Sequence, residues 1–459
     1  MGSLLMPIDV DGAPRPKAHI KTLMKIGYDF CTAISDIIDN SVSAKSTTIK
    51  IFSLPGRSSP FISIVDDGHG MTEDELISNM VIGCKDPSLQ RQAQDLGRFG
   101  SGMKIASFSQ ARKLTVLSKT STSEIIGASW DIDRIINEDT WCLEQLNADD
   151  IALLDKQKMV YLEHQGTQII WQNLTCCQND NHALDHDAQI ASLFTRADKH
   201  IGLHFHKFMK GSEKIDFYIN NKKIDYIDPF MTLVSGYQEG RSEKFRCRGG
   251  HIEIKTHVLP SFNRMDRLEI DALGGASEIT QKQGLYIYRN KRLINAGGWL
   301  NLSKHHQLSA LARVEINIPS ALDDEWATDV KKATLQLPPR VKRDLKKYLS
   351  DPIVRSRKVH TAKGKLSEAN SFWKICNDDE QKTITYEVHP ENQTLAGLIT
   401  RLPNNLRPAL SAYLMNLSRE LPLQHIYTTM ADRPLDVNQK EIEFDIEAIV
   451  KKYMDSIDE

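Results

Sequence analysis

Acid and amide side chains share one side of a predicted helix near the amino terminus. Asp36, Asp39, Asn40 and Ser43 stand at positions i, i+3, i+4 and i+7, so Asp36 and Asn40 lie one above the other. A carboxylate can orient a water molecule, and an amide oxygen can coordinate magnesium, a hard cation that prefers oxygen ligands. The alternative is an ordinary amphipathic helix whose polar stripe faces solvent.

The same segment has an apolar face that would hold these groups in place. Phe30, Ile34, Ile37 and Ile38 recur at helical spacing. This periodicity predicts a helix with one side packed on a core. The polar stripe would then lie beside a buried face.

A buried strand and a turn rich in aspartate and glycine follow. The apolar run Phe61–Val65 predicts the strand, and Asp66 ends it. Gly68 and Gly70 give the backbone freedom to pass close to a flat ring, and the Asp66 carboxylate is an acceptor suited to the exocyclic amine of adenine. The alternative is a plain strand-to-helix turn, because Thr72 begins a capping box for the next helix.

A glycine-rich loop and a Gly-Thr step complete the pattern. The segment 97–104 has three glycines within six residues and can present backbone N–H groups to phosphate at the start of a helix. Lys104 could pair with phosphate charge; a structural turn and a solvated lysine are the alternatives. Gly166 and Thr167 later precede an apolar strand. Together, in this order, the four features predict a nucleotide site.

These motifs resemble those of the GHKL ATPases, a superfamily that includes the gyrase B subunit, heat-shock chaperones, histidine kinases and MutL. The match is closest to MORC-type ATPases and their prokaryotic relatives, and it covers roughly residues 15–350. The resemblance implies an α+β chain with a Bergerat-type α/β sandwich and a transducer domain like ribosomal protein S5. The implied boundaries are an N-terminal arm at 1–16, an ATP-binding domain at 17–210, the transducer at 211–350 and a small C-terminal interaction domain at 351–459.

The resemblance also implies a role for each motif residue, with ATP and Mg²⁺ as cofactors. Asn40 would hold Mg²⁺ against the phosphates, and Asp36 would be the general base. Asp66 would bind the adenine amine, with Thr167 supporting it through water. The remaining cofactor-binding positions are Gly68 and Gly70 near the base and Gly100, Ser101, Gly102 and Lys104 over the phosphates.

The general-base position departs from the family pattern. The gyrase, MutL and MORC pattern has Glu where this chain has Asp36, and Asp is one methylene shorter, which retracts the carboxylate by roughly 1.5 Å. A shift of about 1 Å in a catalytic group can lower a rate on the order of a hundredfold. We therefore expect ATP binding with slow hydrolysis.

The second half of the matching region is rich in predicted strands. Ile215–Ile219, Gly284–Arg292 and Arg313–Ile318 predict strands and hairpin turns. In the related families a lysine of the transducer reaches the γ-phosphate, and Lys332 or Lys331 stands at the corresponding place. The alternative is that both are surface lysines. Such a lysine would draw the transducer onto the nucleotide, and hydrolysis would release it.

Charge is unevenly distributed along the chain. The whole chain has 58 basic and 60 acidic residues, so no global field attracts nucleic acid. The segment Lys331–Lys365 is different, because it has 12 Lys or Arg residues against only Asp344 and Asp351. It predicts sequence-independent DNA contacts that weaken with salt; a solvated helix and linker is the alternative. The resemblance adds an ATP-promoted homodimer formed through the N-terminal region. Residues 1–16, with Pro7, Pro14 and Pro16, predict an irregular arm that could cross to the partner; a disordered terminus is the alternative.

Composition and the tail set the remaining expectations. The seven cysteines have scattered spacing that argues against a disulfide framework, and we expect a cytoplasmic protein without a membrane helix. Residues 351–459 are expected to form a small α+β domain or a helical appendage that contacts a partner protein or the second subunit. Within this region Lys382–Val388 predicts a strand, and Leu406–Leu421 and Glu441–Met454 predict helices. The resemblance implies a DNA-associated machine, as in prokaryotic restriction or anti-phage systems. The alternatives are a chaperone-like remodeller, a nucleotide-binding scaffold with little hydrolysis and a sensor histidine kinase, for which His19 is the only upstream histidine.

Overall fold

The structure is a computed structural model, and its elements fall into two sheets and a small C-terminal unit. The described residues are 14–25, 28–82, 102–177, 183–247, 250–319, 339–361, 372–378 and 383–426. Among them, no helix is long and apolar enough to cross a membrane.

The first sheet has eight strands. In chain order they are β1 (Thr48–Phe52), β2 (Phe61–Asp66), β3 (Ala111–Lys119), β4 (Ile126–Asp131), β5 (Leu143–Leu146), β6 (Gly166–Leu174), β7 (Asp216–Ile219) and β8 (Lys222–Lys223). Their order across the sheet is β5-β4-β3-β6-β2-β1-β7-β8. All neighbours are antiparallel except β1 and β7, so the sheet is mixed.

Helices cover both faces of this sheet. They are α1 (Pro16–Met24), α2 (Phe30–Ser43), α3 (Glu73–Met80), α4 (Gly102–Gln110), α5 (Ile132–Glu138), α6 (Ala148–Lys156) and α7 (Ala183–His204). Successive residues of a strand point to opposite faces. Ile62 and Ile64 accordingly join the main core with α2, α4 and α7, whereas Phe61 and Val65 join a second core beside α6. A sandwich of sheet and helices results.

The second sheet has five strands. They are β9 (Gln238–Cys247), β10 (Gly250–Val258), β11 (Gly284–Arg289), β12 (Arg292–Ala296) and β13 (Ala312–Ile318), in the order β12-β11-β13-β10-β9. Two short helices, α8 (Arg267–Ala272) and α9 (Ala276–Gln281), precede β11, and α10 (Pro339–Thr361) follows. Val341, Leu345 and Leu349 of α10 are buried against the sheet.

A small unit ends the described chain. The antiparallel pair β14 (Trp373–Asp378) and β15 (Thr383–Val388) is followed by α11 (Gln393–Arg401) and α12 (Arg407–Arg419). Strand β15 and helix α12 match the strand and the first helix predicted for this region, whereas α11 was not predicted. The helix predicted at 441–454 lies outside the described residues.

The predicted class of mixed helices and sheets is confirmed. The expected turns are present, because Asn220 and Asn221 have φ of 46° and 64°, as the hairpin between β7 and β8 requires. The S5-like assignment and the domain boundaries stay predictions. The boundary placed at residue 350 falls inside α10, which continues through Pro352.

Candidate functional site

Helix α2 is a buried element with a defined start. The Asp29 carboxylate caps it by accepting hydrogen bonds from the amides of Cys31 at 2.9 Å and Thr32 at 3.2 Å. Its predicted apolar face is buried in the main core, and Ile34 and Ile38 have no exposed surface. The helix is therefore a rigid support for its polar residues.

The polar stripe of α2 is mostly not solvated. Asp36 is 9% exposed and Asp39 only 2%, whereas Asn40 is exposed. An ordinary surface stripe would leave both carboxylates in water, and burying a charge is costly unless other groups compensate for it. A Cβ added to Gly102 would lie 3.5 Å from Asp36 Oδ2, so the first residue of α4 stands beside this carboxylate. The predicted base is thus a neighbour of one glycine predicted to lie over the phosphates.

Asp66, at the end of β2, connects helix α2, the turn after β2 and strand β6. Its carboxylate accepts hydrogen bonds from Ser41 Oγ at 2.7 Å, the Gly68 amide at 2.9 Å and the Thr167 amide at 3.3 Å. Thr167 is also the direct cross-strand partner of Asp66. The two residues predicted to bind adenine are therefore adjacent. Burial raises the pKa of Asp66, although the hydrogen bonds from Ser41 and Gly68 oppose the shift.

Gly68 and Gly70 each occupy a position that a larger residue would disturb. A Cβ on Gly68 would come within 2.7 Å of Ala44 Cβ. Gly70 has φ of 69°, and a Cβ there would lie 2.1 Å from the Lys119 carbonyl oxygen. Backbone packing accounts for both glycines in the described structure. Their approach to a nucleotide base stays a prediction.

Lys104 is buried rather than solvated. It is 1% exposed, and its Nζ donates to the Asn79 carbonyl oxygen at 2.5 Å. This contact joins α4 to the end of α3, and the predicted phosphate contact stays a prediction. Of the other predicted residues, Gly100, Ser101, Lys331 and Lys332 lie outside the described residues.

Two polar links join residues on or after the helices of the first sheet to strands of the second sheet. Arg292 Nε lies 2.9 Å from Asp39 Oδ1, and both side chains are buried. Lys207 Nζ lies 2.5 Å from Glu315 Oε1 and 2.9 Å from Asn317 Oδ1. These partners are more than 100 residues apart in sequence. Local patterns give no signal for such pairs.

Comparison with known proteins gives one family match and two individual similarities. Residues 28–167 match the family model described as histidine kinase-, DNA gyrase B- and HSP90-like ATPase. This part of the chain is therefore similar to the ATPase domains of the GHKL class. The matched region contains helix α2, strand β2, Gly102 and Thr167. It therefore includes Asp36, Asn40 and Asp66.

Two individual proteins are similar to parts of the chain. An 88-residue stretch is 27% identical to the ATPase morc-1 of Caenorhabditis elegans, and it spans 19% of this chain and 10% of that protein. The similarity to a MORC ATPase is therefore distant and confined to a small part of the relative. A crystal structure of the N-terminal domain of a DNA repair protein aligns with 76% of this chain and all of that chain, at a TM-score of 0.45 and 15% identity.

Proposed function

We propose that this chain binds Mg-ATP, hydrolyses it slowly and couples the nucleotide cycle to work on DNA. The observation that carries the proposal is the meeting of three features around one end of α2. Asp36 stands beside the first residue of α4, Asn40 is exposed one turn further on, and Asp66 is paired with Thr167. The family match over residues 28–167 supports ATP as the ligand.

Each group at the site has a role that its surroundings support. Asp36 would accept a proton from the attacking water, because its carboxylate lies where the glycine-rich helix start meets α2. Asp66 would accept from the adenine amine while three protein donors hold its carboxylate in place. Gly100, Ser101 and Gly102 would cover the phosphates with backbone N–H groups.

The residues present fit a magnesium ion. The Asn40 side chain is exposed and makes no hydrogen bond to any described residue, so its amide oxygen is available. Bound Mg²⁺ would neutralise phosphate charge and orient the phosphates. Asn40 would supply one oxygen ligand and fix the ion above α2.

Closure of the second sheet on the nucleotide is the coupling step of the proposal. Lys332 or Lys331 would contact the γ-phosphate and so favour a closed state only while ATP is intact. In the same proposal, ATP promotes a homodimer through the arm at 1–16. Residues 351–459 would contact a partner protein. A role in prokaryotic restriction or anti-phage defence, in the cytoplasm, follows the resemblance to MORC-type relatives.

The basic face of α10 supports DNA as the binding partner. This helix buries Val341 and Leu345 on one side. Its outer side exposes Arg343, Lys346, Lys347, Arg357 and Lys358. Lys347 lies near Asp344 at 3.4 Å, an exposed pair of little strength. The face keeps a net positive charge that suits phosphate contacts along a duplex.

Steady-state turnover of ATP, with and without double-stranded DNA, tests the proposal. We expect turnover that rises with DNA and disappears in Asn40→Ala, because that variant loses the magnesium ligand. Turnover that ignores DNA but rises with an unfolded client protein would instead favour a chaperone-like remodeller. ATP that binds without being hydrolysed would indicate a nucleotide-binding scaffold. Absence of ATP binding would refute the proposal.

Charge reversal on α10 tests the DNA surface separately. We expect Arg343→Glu combined with Lys346→Glu to reduce DNA affinity at least tenfold, because phosphate contacts are lost. Each lost contact should also reduce the slope of log affinity against log salt concentration by about 0.9. The measurement is a DNA-binding titration at several salt concentrations. Lys156→Glu with Lys199→Glu is the matched control, since both lysines are exposed on other helices. Equal loss in the two double variants would show that α10 is not the DNA surface.

A further inference from the structure

A buried ion pair joins the second sheet to the helix that carries the proposed base. Arg292 is the first residue of β12, and its Nε donates to Asp39 Oδ1 of α2 at 2.9 Å. The exposed fractions of the two side chains are 7% and 2%. The pair connects residues 253 positions apart in sequence.

The surroundings of Arg292 fix its orientation. The guanidinium lies over the Phe205 ring at 4.1 Å, and Nη1 donates to the Leu293 carbonyl oxygen at 3.1 Å. On the same side, burial and then the charge of Arg292 lower the pKa of His200 to about 3, so this imidazole is neutral. Asp39 supplies the carboxylate that the Arg292 guanidinium contacts. A planar guanidinium held on three sides is a rigid contact, unlike a lysine.

Asp39 occupies a sensitive position on α2. It lies three residues after Asp36 and one before Asn40, so all three project from the same side of the helix. A helix moves as a unit over one turn, and a bond at Asp39 therefore fixes how α2 is rotated about its axis. Small rotations matter, because a displacement of about 1 Å at a catalytic group can lower a rate about a hundredfold.

A second link holds the sheets together without touching α2. Lys207, on the turn after α7, contacts Glu315 and Asn317 of β13, and its Nζ also lies 3.6 Å from the centre of the Tyr288 ring. Although burial acts to raise it, hydrogen bonds from His257 and Lys207 hold the pKa of Glu315 well below its usual range. Loss of Arg292 would therefore leave the sheets attached. Variants of the two links can therefore distinguish an effect on the position of α2 from an effect on general stability.

We infer that Arg292 is a positioning residue for ATP hydrolysis. Through Asp39 it sets the rotation of α2, and so places Asp36 and Asn40 with respect to the nucleotide. The second sheet thus acts on the catalytic helix directly, besides any contact that its lysines make with phosphate. The inference rests on the proposed ATPase function for its kinetic consequence, but its structural part is independent of turnover.

The test compares Arg292→Met with Lys207→Met. We expect Arg292→Met to lower kcat on the order of tenfold or more while changing the Kd for ATP less than about threefold. Arg292→Lys should recover part of the rate. Lys207→Met should lower the midpoint of thermal unfolding yet leave kcat within about twofold of the unsubstituted protein, because its link does not reach α2. Equal losses of kcat at equal thermal stability would overturn the inference.

Amide hydrogen exchange separates this inference from the ATPase proposal. Arg292→Met, or Arg292→Lys if the first variant does not fold, should exchange faster in α2 than the unsubstituted protein, with β6 unchanged. Lys207→Met should leave exchange in α2 unchanged. Hydrogen exchange can be measured without ATP turnover. A protein that does not hydrolyse ATP would therefore refute the ATPase proposal but not the positioning role of Arg292. Unchanged exchange in α2 would overturn the positioning role even if the protein hydrolyses ATP.

Discussion

Replacing Asp36 with Asn is expected to abolish ATP turnover and leave ATP binding almost intact. Asparagine has nearly the same shape but cannot accept a proton, and a general base typically contributes 10²–10⁴-fold to a rate. Asp36 Oδ2 stands 3.5 Å from the position that a Cβ on Gly102 would occupy, so the exchange introduces no steric conflict there. Single-turnover hydrolysis and calorimetric ATP binding measure the two quantities.

The controls for this variant distinguish lost chemistry from lost charge. Glu163→Gln also removes one negative charge, from an exposed side chain, and should leave turnover unchanged. Asp36→Glu restores the carboxylate found in the family pattern and should retain turnover. If Asp36→Asn hydrolyses ATP at the rate of the unsubstituted protein, Asp36 is not the base.

Local patterns in the sequence predict helix α2 and the start of helix α3. The apolar period of Phe30, Ile34 and Ile38 predicted α2, and the structure buries all three. The capping box predicted at Thr72 is confirmed, because the Thr72 amide donates to Glu75 Oε2 at 2.9 Å. Such features depend on neighbours within one helical turn, which a sequence shows directly.

Interactions across the fold were not predictable in this way. The stripe on α2 gave no indication that Asp39 is buried, because its partner Arg292 follows a hairpin turn that resembles an exposed loop. Asn290 and Lys291 indeed have φ of 46° and 71°, as such a turn requires. The pair is enclosed where β12 meets α2 and the Phe205 ring that follows α7. Tertiary contacts therefore decided which polar residues were accessible to ligand.

Lys104 shows the same limit in a candidate site residue. The glycine-rich segment before it indicated either a phosphate contact or a solvated lysine. The structure instead encloses its ammonium beside the Asn79 carbonyl oxygen. That position depends on how α3 and α4 pack, which no local pattern specifies. A phosphate contact of Lys104 would need that ammonium to leave its protein partner or to serve both.

Replacing Asp66 with Asn is expected to weaken ATP binding about 10- to 100-fold. A hydrogen bond to a charged group contributes about 1.5–3 kcal/mol when its loss leaves a buried group without a partner. The amides of Gly68 and Thr167 both donate to Oδ1, so the asparagine oxygen should take that position. Its NH₂ group would then replace the second acceptor, and the preference for ATP over GTP should shrink. Competition binding with ATP and GTP measures this preference.

Ser41→Ala provides the comparison for this variant. Ser41 Oγ donates to Asp66 Oδ2 at 2.7 Å, and its loss keeps the carboxylate while removing one support. We therefore expect a smaller loss of ATP affinity than in Asp66→Asn, with the preference for ATP over GTP retained. Thermal unfolding of both variants accounts for any general destabilisation. An Asp66→Asn protein that binds ATP normally would show that another group recognises adenine, because no neutral amide can reproduce a carboxylate's two acceptor positions.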